Sequence, residues 1–185
     1  QRYRAIFDGA GVSIWEEDFT EVRALIDGLK ALGVADLRRH LEEHPEVVRD
    51  AIRAVRILDV NQASVRMFGA GSRQQLMRSL DQIFVPETER VFAEELIALA
   101  EGRRRFEAEQ AMRTLQGERL EVLVTVEFPP PGMALGRVPV TLTDISAHKR
   151  AERALRDSEA RYRAVVDSQT ELVCRFRTDG TILLA

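Results

Sequence analysis

The heptapeptide Arg2-Tyr3-Arg4-Ala5-Ile6-Phe7-Asp8 returns near the other end of the chain as Arg161-Tyr162-Arg163-Ala164-Val165-Val166-Asp167. Five of the seven positions are identical, and the other two exchange one apolar residue for another. After each copy comes a short polar bend and then an apolar run, Val12-Ser13-Ile14-Trp15 in the first and Leu172-Val173-Cys174-Arg175-Phe176 in the second. Chance likeness of two Arg-rich helices is the competing explanation, and the continuation of the match into the strand-like segments argues against it. A chain that repeats its opening after so long an interval holds one complete structural unit and the beginning of another.

The first interval must therefore supply a whole core, and its composition allows it. Hydrophobic residues make up 45% of the 185 residues and charged residues 31%, a globular balance. The formal net charge of −3 gives no general attraction to nucleic acid or an anionic membrane surface. No apolar run is long enough to span a bilayer, and no signal-peptide pattern opens the chain. The single cysteine, Cys174, excludes an internal disulfide and fits a reducing cytoplasm. The chain starts at Gln1 and stops inside the apolar run 181–185, so both ends read as cuts in a longer protein.

Hydrophobic periodicity orders the elements. A helix end over 2–8 and a strand over 12–17 come first. Asp18 and Glu21 have capping-box spacing for a helix carrying Phe19, Val22, Leu25, Ile26, Leu29 and Leu32, closed by Gly33. A second helix is expected over 36–43 and a third over 46–55, with Pro45 in its first turn. A strand at 57–60 follows, then a helix capped by Asn61 and ended by Gly69, another starting at Ser72, and a longer one from Pro86 to Ala100. Strands are expected at 103–114, 119–128 and 137–145, the first two joined by a turn at Gln116-Gly117. A charged helix begins near Ser146 and runs to about Val166. This order is α+β: an antiparallel five-stranded sheet with short helices on one face.

Local motifs in the same order resemble the PAS family. They are Leu58-Asp59-Val60-Asn61-Gln62-Ala63, Ser72-Arg73-Gln74-Gln75-Leu76, Phe106-Glu107-Ala108-Glu109 followed by Gln116-Gly117-Glu118, and Asp144-Ile145-Ser146 followed by Lys149-Arg150. The tail from Ser158 to Arg163, with Asp179-Gly180 as a hairpin turn, resembles the opening of a following PAS domain. The resemblance implies a PAS-like sensor domain at 1–145, a signalling helix or coiled-coil linker at 146–166, and a truncated second domain at 167–185. The departure is a helical insertion at 19–55, where the family usually joins its first two strands by a tight hairpin.

The resemblance further implies a small-molecule pocket between sheet and helices. Candidate lining or core residues are Ile14, Trp15, Leu58, Val60, Asn61, Met67, Phe68, Val124 and Val140, and an apolar lining suits a small apolar ligand. Core packing alone explains the same residues. The acidic run Glu16-Glu17-Asp18 reads as a solvated strand end with a helix cap rather than as an acid–base pair. His40 and His44 read as surface histidines rather than metal ligands. The resemblance also disfavours haem, since haem-binding members commonly place their iron ligand in the region of 87–101, which holds no histidine, and flavin photochemistry, since the light-sensing branch needs a helical cysteine that the first unit lacks. No catalytic motif is present. His148, followed by Lys149 and Arg150, does not match the acidic context of a phospho-acceptor.

The connector carries the clearest mechanistic signal. Asp144, His148, Ala151, Leu155, Ser158, Tyr162 and Val165 follow heptad spacing, with several small or polar members, which suits a marginal parallel coil. The expected partner is a second copy of the chain through 146–166, with Asp144, Ile145, Leu155 and Tyr162 passing a change from the last strand into the helix. The resemblance points to a sensor histidine kinase as the parent, with this part of it cytoplasmic even where the parent is membrane-anchored elsewhere. A diguanylate cyclase is the alternative output, and a ligand-free dimerisation or spacer module the alternative class.

Overall fold

The computed structural model describes residues 2–130, 132–168, 174–176 and 182–184, and side chains as far as residue 164 apart from those of residues 80 and 81. The chain divides into two units, 1–146 and 147–185.

The first unit is organised by five antiparallel strands: β1 (Ser13–Asp18), β2 (Arg56–Val60), β3 (Arg105–Arg113), β4 (Arg119–Glu127) and β5 (Val138–Asp144). Their spatial order is β2-β1-β5-β4-β3, so β5 lies at the middle of the sheet beside the first strand. The alternation Val122, Val124, Val126 puts one face of β4 inward, and Val138, Val140 and Leu142 do the same for β5. The hairpin between β3 and β4 turns at Gly117, whose φ of 85° is unfavourable for any residue with a Cβ.

Helices cover the inward face. Helix α1 (Arg2–Gly9) precedes the sheet, and α5 (Gln62–Met67), α6 (Arg73–Arg78), α7 (Leu80–Ile83) and α8 (Glu87–Ala100) fill the span between β2 and β3. Asn61 and Ser72 cap α5 and α6 by accepting from the backbone N–H three residues on, Ser64 and Gln75 respectively.

The connection between β1 and β2 is three helices: α2 (Thr20–Ala31), α3 (Leu37–Glu43) and α4 (Pro45–Ala54). Each has one apolar stripe, through Val22 and Ile26, Leu41, and Val48 and Ala51 respectively, and these residues join the main core. Phe19 anchors the entry, edge-on to Phe128 at 5.9 Å between ring centres. Arg38 binds both carboxylate oxygens of Glu94, tying α3 to α8. The insertion is thus built into the core of the unit. One local expectation changes. The capping box does not form, because β1 continues to Asp18, opposite Arg56 of β2. The Asp18 carboxylate pairs with Arg56 and accepts from the Thr20 N–H at 2.9 Å, and Phe19 occupies the N-cap position without a side-chain cap.

Asn61 joins three elements. It has no solvent exposure. Its Oδ1 accepts from the N–H groups of Ile14 at 3.1 Å and Ser64 at 3.0 Å, while Nδ2 donates to the carbonyls of Phe7 at 3.0 Å and Val12 at 2.9 Å. The start of β1 with the residue before it, the start of α5 and the end of α1 are thereby fixed to one amide.

In the second unit the helix α9 (Ser146–Ser168) begins at the last residue of the first unit, and β6 (Cys174–Phe176) pairs antiparallel with β7 (Ile182–Leu184), Cys174 opposite Leu184. The turn expected at Asp179-Gly180 lies outside the described residues. Among the described residues no helix is long and apolar enough to cross a membrane.

Replacing Asn61 by Ala strands two backbone N–H groups and two carbonyls in the interior. The expected loss is roughly 2–4 kcal/mol of unfolding free energy, read by urea denaturation. Asn61→Asp keeps the acceptor but removes both donors, and should also destabilise.

Candidate ligand cavity

A cavity of about 360 Å³ lies between the inward face of the sheet and the helices. Every strand of the sheet contributes to it: Trp15 and Glu17 from β1, Ile57 from β2, Gln110 and Met112 from β3, Val124 from β4, and Val140 and Leu142 from β5. Phe84, Thr88, Phe92 and Glu95 come from α8 and the stretch before it. The insertion supplies Ile52, Arg53 and Val55, so it forms part of the wall.

Strand alternation and register decide which residues face inward. Trp15 and Glu17 sit two apart on β1 and share a face. Trp15 is opposite Val140 on one side and Val60 on the other. A β-bulge lies between β1 and β2: Glu16 is opposite Asp59, but Glu17 is opposite Ile57, leaving Leu58 as the extra residue. The bulge puts Ile57 on the cavity wall and leaves Leu58 38% exposed.

Of the nine residues singled out from sequence, Trp15, Val124 and Val140 line the cavity. Val60 and Phe68 are core residues behind it, Phe68 meeting Trp15 edge-on at 5.7 Å. Asn61 is the polar junction already described. Ile14 alternates away from Trp15, and Met67 is half-buried at the end of α5. His40 and His44 have ring centres 4.5 Å apart, with His44 beside Glu46. Among the described residues no group of three or more His, Cys, Asp or Glu is placed to hold a metal.

Sequence reasoning missed the two carboxylates in this lining. The acidic run at the end of β1 separates into three environments. Glu16 pairs with Tyr3 and Arg137, Asp18 with Arg56, and Glu17 points to the cavity. Glu95, 7% exposed, faces the same space from α8. Among the described residues neither Glu17 nor Glu95 has a hydrogen-bond or ion-pair partner. Burial pushes the Glu17 carboxyl up to about 8. Glu95 is raised well above its usual range by burial and, secondarily, by the charge of Glu17. Glu17 keeps some accessible surface because its open side is the cavity, yet its carboxyl is enclosed by protein. The signal available in sequence was the i, i+2 spacing of Trp15 and Glu17.

A buried polar chain connects the cavity to the Asn61 junction. Trp15 Nε1 donates to Ser13 Oγ at 3.1 Å, Ser13 Oγ lies 2.8 Å from Ser64 Oγ, and Ser64 Oγ donates to Asn61 Oδ1 at 2.9 Å.

An antiparallel sheet in the order 2-1-5-4-3 with helices over a cavity on one face is an α+β architecture. Residues 41–101 match the family described as PAS domain. A PAS domain from Colwellia psychrerythraea has the same fold, with a TM-score of 0.51 and 18% identity over 78% of this chain and 94% of that one. The PAS domain, in complex with ethanol, of a LuxR-family transcriptional regulator from Burkholderia thailandensis has a TM-score of 0.49 at 16% identity, over 78% and 97% of the two chains. A domain of a sensory box sensor histidine kinase/response regulator from Geobacter sulfurreducens gives 0.44 at 18%, over 77% and 91%. No curated protein matches the chain. The first unit thus has a PAS-like fold, with residues 41–101 carrying the family match.

The raised carboxyl of Glu17 makes stability depend on pH. Unfolded, the group titrates near 4.5; folded, near 8. Between those values the folded state holds a proton that the unfolded chain has released, so this contribution is complete below about pH 4.5 and is lost as pH rises to about 8. The slope is at most ~1.4 kcal/mol per pH unit. Glu17→Gln should match the parent near the bottom of the window and exceed it in stability at the top, measured as the pH dependence of the denaturation midpoint.

Proposed function

We propose that the first unit is a ligand-responsive sensor whose cavity takes a small molecule, and whose last strand passes the change into a helical dimer linker. The observation that carries this reading is the double role of β5. Val140 and Leu142 form cavity wall, and the same strand runs through Asp144 into the first residue of α9. That junction is tightly held. The Asp144 carboxylate accepts from the Ser146 N–H at 2.8 Å. Ile145 N–H donates to the Glu121 carbonyl at 2.8 Å, and Ser146 Oγ accepts from the Glu121 N–H at 2.9 Å. A displacement of β5 by an occupant would pass along Asp144 and Ile145 to Ser146, where α9 begins.

The dimer reading rests on the heptad spacing and on exposed apolar seam residues. Leu155 is 62% and Tyr162 61% exposed, large apolar groups that a parallel partner helix would cover. By the sequence resemblance of the tail, the output domain is that of a sensor histidine kinase, with a diguanylate cyclase as the alternative.

Native mass spectrometry of the 185-residue chain should show a co-purifying small molecule that Ile57→Trp, which fills cavity space, displaces. Sedimentation should show a dimer that Leu155→Asp converts to monomer. An empty parent in every preparation would leave the spacer reading, and a monomer at high concentration in the intact protein would remove the relay.

A further inference from the structure

A cavity that only received apolar molecules would gain nothing from two buried carboxylates. An ionised carboxylate away from water and without a partner is costly, and a second one nearby raises the cost. In the empty fold such groups are held protonated, and they can ionise there only if a positive charge compensates them. The surrounding groups supply no such compensation. The charged or titratable residues facing the space are Glu17 from β1, Glu95 from α8 and Arg53 from α4. Arg53 has a side chain 75% exposed and pairs with Asp50. The remaining polar lining, Thr88 and Gln110, is neutral. Three aromatic side chains, Trp15, Phe84 and Phe92, complete a wall whose ring faces attract positive charge.

We propose that the cavity takes a small organic cation, a protonated amine or quaternary ammonium on an apolar body, with Glu17 and Glu95 as its counter-charge and Trp15, Phe84 and Phe92 packing the body. The inference rests on the reading of the cavity as a ligand site and specifies its chemistry. The cavity volume is at the lower end of those that accept small organic ligands. A cation stabilises the ionised form of both carboxyls, so its entry releases protons, and its affinity rises with pH through the range in which the empty site holds them.

The test uses the 185-residue chain and three compounds of one shape and different charge: 2-phenylethylammonium, 2-phenylethanol and phenylacetate. Isothermal titration calorimetry at about pH 7 in two buffers of different ionisation enthalpy gives affinity and proton release together. The ammonium should bind at least roughly tenfold more tightly than the alcohol, release protons, and lose affinity at about pH 5. Phenylacetate should bind least. Glu17→Gln and Glu95→Gln should each remove most of the preference for the ammonium while leaving the alcohol's affinity in place, which also shows that the variants are folded. Equal binding of alcohol and ammonium by the parent, or a preference that survives in both variants, overturns the cation inference and leaves the cavity as a ligand site. If no compound binds the parent at millimolar concentration, both the inference and the ligand reading fall.

Discussion

The fold of the first unit depends on placing one amide where three chain segments meet. Asn61 makes four backbone hydrogen bonds at zero exposure. They use the donor and acceptor capacity that only an amide side chain combines at this length. The geometry ends β2, caps α5, and holds the chain that enters β1 against α1. Asn61 has no solvent exposure, and its neighbours Ser13 and Ser64 are buried with it. A polar group inside a core is stabilising only when satisfied, and both the oxygen and the nitrogen of the Asn61 amide are bonded.

The cavity is what this junction positions. Trp15 is connected to Asn61 through Ser13 and Ser64, so the aromatic wall of the cavity and the polar knot share one hydrogen-bonded path. The insertion between β1 and β2 adds a second layer of control. It buries its own apolar stripes against α8 and gives Ile52, Arg53 and Val55 to the wall. A tight hairpin in its place would leave that side of the cavity without those three residues. The same unit thus gains a more enclosed site and a larger core from one long connection.

Much of this was legible in the chain itself. Capping by Asn61 and Ser72, the proline opening α4, the glycines closing α2 and turning at 117, and the alternation of Val122, Val124 and Val126 are local signals. They act within a few residues and so survive without knowledge of the fold. The expected capping box at Asp18 failed for a non-local reason: Arg56, brought opposite by strand pairing, took the carboxylate. The bulge at Leu58 is of the same kind, since nothing nearby in sequence marks where a ladder will slip by one.

Sequence alone determined the element order, the antiparallel sheet with its helical insertion, and the heptad spacing of the connector, because periodicity and capping are properties of neighbouring residues. Tertiary structure decided which member of the run Glu16-Glu17-Asp18 is paired at the surface, which is tied to β2, and which faces the cavity. It also brought Glu17 to the same cavity as Glu95, from a different element and far along the chain. Burial, and the shared field of two buried carboxylates, exist only once the sheet and α8 are packed.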